Sequence, residues 1–340
     1  MTLALESGIG AFRVPPECEA HEPPEFRGLA RDAVRLMVSE RAGNTLRHAR
    51  FADLPRFLRP GDLLVANDSA TLPAALAARR TDGGELMLHV SGAVAARLWV
   101  VEPRAHVRES ETLHLPGAVT AKLLTAVDRA HRRLWYARVD TSRSIVDYLR
   151  AHGSPIRYAY VERPFPLASY QTVFARVPGS AEMPSAARPF SARTLDALAA
   201  RGVGLQTVTL HCGVSSAEAH EPPQPEHFDV PEAAARAVNT ARTQGRRVVA
   251  IGTSVVRALE SAARGGVVRA ARGRTGLVIS PEHPPQVTDG LLTGFHEPGA
   301  SHLAMLAAFL DPPALRTAYA AALEHGYLWH EFGDVHLIIG

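Results

Sequence analysis

The chain is almost without lysine. Among 37 Lys and Arg residues the single lysine is Lys122, and its surroundings, Val119 to Leu123, read as a strand. A phosphate-cradling lysine of a P-loop or a Schiff-base lysine would have to be that residue, so both chemistries are expected to be absent. Cysteine is scarce as well. Cys18 and Cys212 lie far apart and form no disulfide framework, which reads as two thiols in a reducing compartment. No apolar run is long enough to span a membrane. The first residues carry Glu6 and no basic region followed by an apolar run, so a cytoplasmic protein with no membrane partner is expected. No G-x-S-x-G elbow and no G-x-G-x-x-G turn after a strand is found, which argues against a serine hydrolase and a nicotinamide enzyme. His296 and His302 stand six apart, and His330, Glu331, Asp334 and His336 crowd near the C-terminus, but none has zinc-site spacing, so no metal is expected.

What is present is a 340-residue chain, long enough for two domains, with an ordinary apolar share of 46%. The net charge of +3 comes from arginine and permits nucleic-acid binding without demanding it. Val248 to Ser261 reads V-V-A-I-G-T-S-V-V-R-A-L-E-S: a buried strand, a small polar turn, then a helix from Val255 on which Arg257 and Glu260 can face outward. Free backbone N–H groups at such a helix start, with Thr253 and Ser254 hydroxyls beside them, can hold a carboxylate or another anion. The ordinary alternative is that Ser254 only caps the helix.

Along the chain, residues 1–30 read as an extended surface segment, Arg31 to Ser39 as a first strand, and Leu63 to Ala66 as a buried strand. Between Leu76 and Val139 short apolar runs alternate with turn signals, the pattern of a small antiparallel β-barrel. Helices are expected over Ser144–His152, Ser191–Arg201, Pro231–Gln244 with Asp229 near its cap, Ser301–Leu310 and Pro313–His325. Strands are expected over Val203–Leu210, Gly276–Ile279 and Val335–Ile339. The expected fold class is α/β: a mostly parallel sheet with flanking helices (residues 1–75 and 150–340) and an inserted β-barrel domain at 76–149.

Four polar clusters each follow a strand-like run: Asn67-Asp68-Ser69, His211-Cys212-Gly213, Gly252-Thr253-Ser254 and Thr293-Gly294-Phe295-His296. If these strands share a sheet, the clusters converge on one pocket with an acid, two imidazoles, hydroxyls and backbone donors.

Six ordered motifs then carry a resemblance. They are Leu58–Ser69, Tyr170–Ala175, Val208–Gly213, Gly252–Ser261, Leu291–Pro298 and Gly333–Ile338. Together the chain resembles the S-adenosylmethionine:tRNA ribosyltransferase-isomerase family of queuosine biosynthesis. The resemblance implies an α/β domain with an inserted barrel. It also implies S-adenosylmethionine as co-substrate and no bound cofactor. In the implied reaction a base removes a proton beside the sulfonium and the ribose rearranges. Adenine and methionine leave, and the sugar unit joins the aminomethyl group of a deazaguanine in tRNA. On these motifs the implied substrate-binding residues are Asn67, Tyr170, Gln171, Gly252, Thr253, Ser254, Arg257, Thr293, Phe295 and Asp334. Base or relay candidates are His211, His296 and Asp68. Departures are visible: where the family pattern reads P-T-A-G-L-H-F-T, residues 184–191 place Ala187 for glycine and Pro189 for histidine, and Ala70 replaces an arginine. Because these changes fall near strand ends, a small-molecule acceptor, a lyase or a non-catalytic nucleoside- or tRNA-binding module are the alternatives. The sequence leaves the oligomeric state open.

Overall fold

The computed structural model describes residues 10, 12–43, 45–214 and 224–340. Nine strands form the main sheet, in the spatial order Ala271–Thr275, Glu226–Val230, Gly204–Leu210, Leu63–Asn67, Val248–Ile251, Gly290–Gly294, Val335–Ile339, Arg35–Glu40 and Thr45–Arg50. The expected mostly parallel sheet is corrected to a mixed one. Leu63–Asn67 pairs in parallel with Gly204–Leu210 and Val248–Ile251, which in turn runs parallel to Gly290–Gly294. Arg35–Glu40 runs parallel to Val335–Ile339. The remaining pairings are antiparallel, including Gly290–Gly294 with Val335–Ile339 and both pairings at the Glu226–Val230 end. The parallel strands are short and apolar on both faces, as Leu63 to Asn67 and Val248 to Ile251 show by complete burial.

One apolar cluster joins the sheet's Val65, Val208, Ala250 and Leu291 to Val238, Val255, Leu259, Leu306 and Tyr319 on the helices. The opposite face packs Leu64, Ala66, Ile251 and Leu337 on Phe51, Phe174 and Phe190. Helices flank the sheet at Ala192–Ala200, Glu232–Thr243, Thr253–Ala262, Ser301–Phe309 and Pro312–Glu324. Ser191 caps the first of these by accepting the Thr194 N–H. Pro231, not Asp229, stands at the cap of Glu232–Thr243, and Asp229 instead pairs with Arg272 at 2.7 Å.

Six strands close a barrel, in the order Trp135–Val139, Leu98–Pro103, Glu85–Ala95, Ala75–Arg80, Thr112–Leu115 and Val119–Ala126. Its interior is filled by Leu76, Leu88, Trp99, Val101, Leu113, Leu123 and Trp135, and Tyr148 and Leu149 of the Ile145–His152 helix pack on the same cluster. Closure removes the edge strands that six short strands would otherwise expose. Lys122 lies on one barrel strand, opposite Thr112 and Arg138.

Several expectations are corrected. Arg31–Ala33 is a 3-10 turn and the first strand begins only at Arg35. The N-terminal segment is packed rather than loose: Pro16–Cys18 and Pro24–Arg27 form 3-10 turns, Cys18 and Ala20 are buried, and Trp329 N donates to Cys18 O. Residues 1–9 and 11 lie outside the described set. Gly276–Ile279 forms no strand. Arg257 and Glu260 do not face outward. Both are buried, because the helix that bears them is covered on every side by the sheet and by the 275–288 segment. Glu260 accepts the N–H groups of Gln286, Val287 and Thr288 there.

Candidate active site

Four adjacent strands of the sheet run in one direction, so their C-terminal ends lie side by side. They carry the four polar clusters, and the structure brings these together. Asn67 is completely buried at the junction. Its Nδ2 donates to Leu210 O at 2.8 Å and to Ser254 Oγ at 3.1 Å, while its Oδ1 accepts the N–H groups of Ser69 and Leu210. One amide thus ties three strand ends together.

Above these ends lies a cavity of about 380 Å³. That volume is in the range of small-molecule sites. One wall is the turn at Gly252, Thr253 and Ser254. Gly252 has φ +95 and ψ 153, a region that essentially only glycine occupies. It stands at the helix N-cap and no side chain caps the helix, so the capping role expected of Ser254 is corrected. The first N–H groups of the Thr253–Ala262 helix have no intrahelical acceptor and add to the positive end of its dipole. Thr293, Phe295 and His296 continue this wall. Thr293 Oγ1 lies 2.8 Å from His296 Nε2, and the His296 and His302 rings stack at 4.5 Å. Burial, with the charges of His302 and His336 adding to it, pushes His296 well below the ordinary histidine range. Burial likewise lowers His302 to about 4. Both are neutral imidazoles at pH 7.

A second wall comes from loops. Tyr158, Tyr160, Tyr170, Glu182, His330 and Glu331 line it. Tyr158 donates to Glu182 and Tyr160 donates to Glu331. Burial raises both phenols well above their usual range. From the barrel, Arg133 also reaches the cavity, held by the buried Glu102 at 2.9 Å.

Of the residues singled out from sequence, Tyr170, Gly252, Thr253, Ser254, Arg257, Thr293, Phe295 and His296 line the cavity. Arg257 is fully occupied, pairing with Glu226 and donating to the carbonyls of Gln224, Thr275 and Leu277. Asn67, Asp68, Gln171, His211 and Asp334 stand behind the wall. Asp68 accepts from Thr209 Oγ1 at 2.6 Å and pairs with Arg176 at 3.0 Å. His211 Nδ1 lies 2.7 Å from Ser69 Oγ, and Gly179 packs so close to its ring that a Cβ there would stand 2.4 Å from it. Gln171 clamps Thr71 through both its backbone groups, and Asp334 accepts the N–H groups of Arg35 and Leu328. Sequence reading passed over Tyr158, Tyr160 and Glu182, and weighed His302 only as a metal ligand. The one signal for the tyrosines was two of them spaced by two in the proline-rich stretch 155–166, a pattern with no fixed structural meaning.

The departures from the family pattern are divided: Gly294 and Glu297, which stand where the family pattern N-F-H-L-P has asparagine and leucine, line the cavity, and others fall off the wall. Ser185 and Ala186 line the cavity, whereas Ala187 and Pro189 do not. Arg188, 2% exposed, turns to Glu25 and Ser169 O and lies over the Phe332 ring. Ala70 sits on the short strand Ser69–Thr71 that pairs with Val177–Ser180. Of residues 214–217, Val214 lines the cavity and the other three lie outside the described residues.

A parallel-strand end, a neutral imidazole pair and an anion-binding helix start define an α/β enzyme with a site of small-molecule size. The comparisons then place it. The family described as queuosine biosynthesis protein matches residues 11–338, and the chain belongs to that family. It is 38% identical to an S-adenosylmethionine:tRNA ribosyltransferase-isomerase of Thermus thermophilus, over 96% of this chain and 98% of that protein. It is 36% identical to the same-named protein of Azoarcus sp., over 99% of this chain and 98% of that one. A solved structure of S-adenosylmethionine tRNA ribosyltransferase from Thermotoga maritima aligns with a TM-score of 0.56 at 27% identity, covering 96% of this chain and 99% of that one.

Proposed function

We propose that this chain is a transferase that moves the ribosyl portion of S-adenosylmethionine to tRNA and isomerises it, in queuosine biosynthesis. The observation that carries the reading is near-full-length similarity to relatives bearing that name, on a fold whose strand-end cavity keeps the Gly252–Ser254 turn and His296 intact.

The residues present suit S-adenosylmethionine. Its carboxylate fits the uncapped helix start at Thr253 and Ser254, where backbone N–H groups and the dipole favour an anion. Ser254 is the better placed hydroxyl, because Asn67 orients it. Arg257 shapes this turn through Glu226 and the 275–277 backbone rather than meeting the ligand itself. His296 serves as base or relay: it is neutral, it is oriented by Thr293, and its main-chain N–H is fixed by Tyr319 Oη at 3.3 Å. His211 and Asp68 act from behind, His211 by holding Ser69 and Asp68 by holding Thr209 and Arg176. Phe295 and Met305 give the cavity an apolar surface for the nucleoside. No other cofactor is needed, and the protein works in the cytoplasm.

A tRNA acceptor is favoured over a small molecule by the names of the near-full-length relatives; of the departures that suggested otherwise, Ala187, Pro189 and Ala70 lie off the cavity wall, whereas Gly294 and Glu297 line it. The test is release of adenine and methionine from S-adenosylmethionine with and without tRNA carrying the deazaguanine base. Release that requires the tRNA is expected. Release without any acceptor would make the protein a lyase, and binding without release would make it an inactive module.

A further inference from the structure

His330 and Glu331 fail as metal ligands on their spacing, and the reaction outlined above gives them no part. The structure nevertheless sets both on the cavity wall. His330 has φ +73, in the left-handed region that costs a non-glycine residue about 1–2 kcal/mol. Its ring stacks on Tyr160 at 3.7 Å with the planes 7° apart, and Tyr160 stacks in turn on Tyr158 at 5.9 Å. The strained turn therefore holds an aromatic ladder and, next to it, a carboxyl. Among the described residues Glu331 makes one side-chain hydrogen bond, from Tyr160 Oη, and no ion pair.

A second observation points to a ligand here. Three buried polar atoms on the cavity wall have no hydrogen-bond partner: Tyr170 Oη, Thr71 Oγ1 and His330 Nε2. Buried polar groups are ordinarily satisfied, and an orphan costs about 1–3 kcal/mol. All three belong to residues beside one cavity, and among the described residues His330 Nε2 has only the Glu19 carboxylate near it, at 3.9 Å. Burial, with the Glu331 charge adding to it, raises the Tyr170 phenol to about 12.

We infer that this wall is an amine subsite, in which the Glu331 carboxylate, held by Tyr160, receives a protonated primary amine of a substrate against the Tyr158 and Tyr160 rings. Carboxylate and phenol oxygens accept the ammonium hydrogens. Burial raises the Glu331 carboxyl to about 7, and repulsion from Glu182 adds to this. The Tyr160 hydrogen bond and the Arg188 charge pull the other way. An incoming cation ionises the group and fills the site in one step. The inference rests on the proposed reaction for the identity of the amine. Two sources have this chemistry: the α-ammonium of S-adenosylmethionine and an amine on the target base of the tRNA.

The test uses the full chain and four ligands: S-adenosylmethionine, its analogue with hydrogen in place of the α-amino group, tRNA with an amine-bearing target base, and the same tRNA with guanine there. Calorimetry with wild type and Glu331→Gln is expected to show one amine-bearing ligand weakened at least tenfold, with its amine-free counterpart unchanged. The ligand that loses affinity identifies the source. Wild-type binding of that ligand should also fall as pH drops below about 7, as Glu331 takes up a proton. The E331Q protein should show no such dependence between pH 6 and 8. The groups facing Glu331 in that range are Tyr158, Tyr160, Tyr170, Glu182, Arg188 and His330. Glu182 is controlled by Glu182→Gln, which should keep the pH dependence. If E331Q fails to fold, Tyr160→Phe decides, since it keeps the carboxylate and removes its holder; a threefold or greater loss confined to the same ligand is expected. Equal binding of all four ligands, within twofold, by wild type and both variants overturns the subsite while wild-type turnover leaves the reaction standing. A wild-type protein that binds none of them overturns both.

Discussion

The two walls of the cavity are built in opposite ways. The Gly252–Ser254 wall comes from strand ends and a helix start, and it presents donors: backbone N–H groups, hydroxyls and a neutral imidazole. The Tyr158–Tyr160–Glu331 wall comes from loops between the sheet strands, and it presents acceptors and stacked rings. Regular structure supplies fixed backbone dipoles without side-chain cost, which suits an anion. Loops supply side chains that must be buried and braced, which explains the stacked rings and the left-handed His330. The two walls thus differ in the charge they favour and in the means by which they favour it.

That contrast can be broken by experiment. The largest effect is expected from His296→Ala, which removes the proposed relay from the donor wall: kcat for adenine release should fall by about 10²–10⁴, with substrate binding changed little. A loss under threefold would move the relay elsewhere. Gly252→Ala comes next. A Cβ there meets nothing closer than Ala186 at 3.6 Å, so the cost is conformational: about 1–3 kcal/mol of stability, read by denaturant unfolding, and a weaker affinity for S-adenosylmethionine as the turn shifts. Unchanged unfolding would show that the turn tolerates another conformation.

A pH titration of stability separates the walls by sign. His302, lowered to about 4, and His296 stay neutral in the folded protein while the unfolded chain takes up protons below about 6.5, so their contribution is present above that pH and is lost as pH falls toward 4. Glu331 does the opposite. Its carboxyl is raised to about 7, the unfolded chain ionises first, and stability is lost as pH rises from about 4.5 to 7. Glu331→Gln should therefore stabilise the ligand-free protein at pH 8 and not at pH 4, whereas His302→Gln should blunt the acid-side loss. The smallest effect is expected from Pro189→His, which restores the family residue at a position off both walls. Turnover should change less than twofold, and a larger gain would mean that residue 189 reaches the ligand by a route the wall does not show.

The donor wall was legible in the sequence because its parts follow rules: an apolar run, a small-residue turn and a helical period place Thr253 and Ser254 without knowledge of the rest. The barrel was legible for the same reason, through turn signals at regular spacing. Strand direction was not. Nothing local tells that Val335–Ile339 runs antiparallel to Gly290–Gly294, or Glu226–Val230 to both its neighbours, because direction is set by the path of the connections. Nor was the inward placement of Arg257, since an arginine at a helical position reads as exposed unless Glu226 and the 275–277 carbonyls are known to await it. Asp68 and His211 were correctly placed at strand ends, yet one residue's alternation along an extended chain turns a side chain from the cavity to the layer behind it. The acceptor wall was least legible, because Tyr158, Glu182 and Glu331 meet only through tertiary packing.

The lone lysine has a practical consequence. Lys122 sits on the barrel strand Val119–Ala126 and is absent from the cavity wall, so the protein carries a single side-chain amine in a fixed and catalytically silent place. With the α-amino group blocked first, an amine-reactive dye would mark the barrel at one defined point, and its signal would report how the barrel responds when RNA arrives.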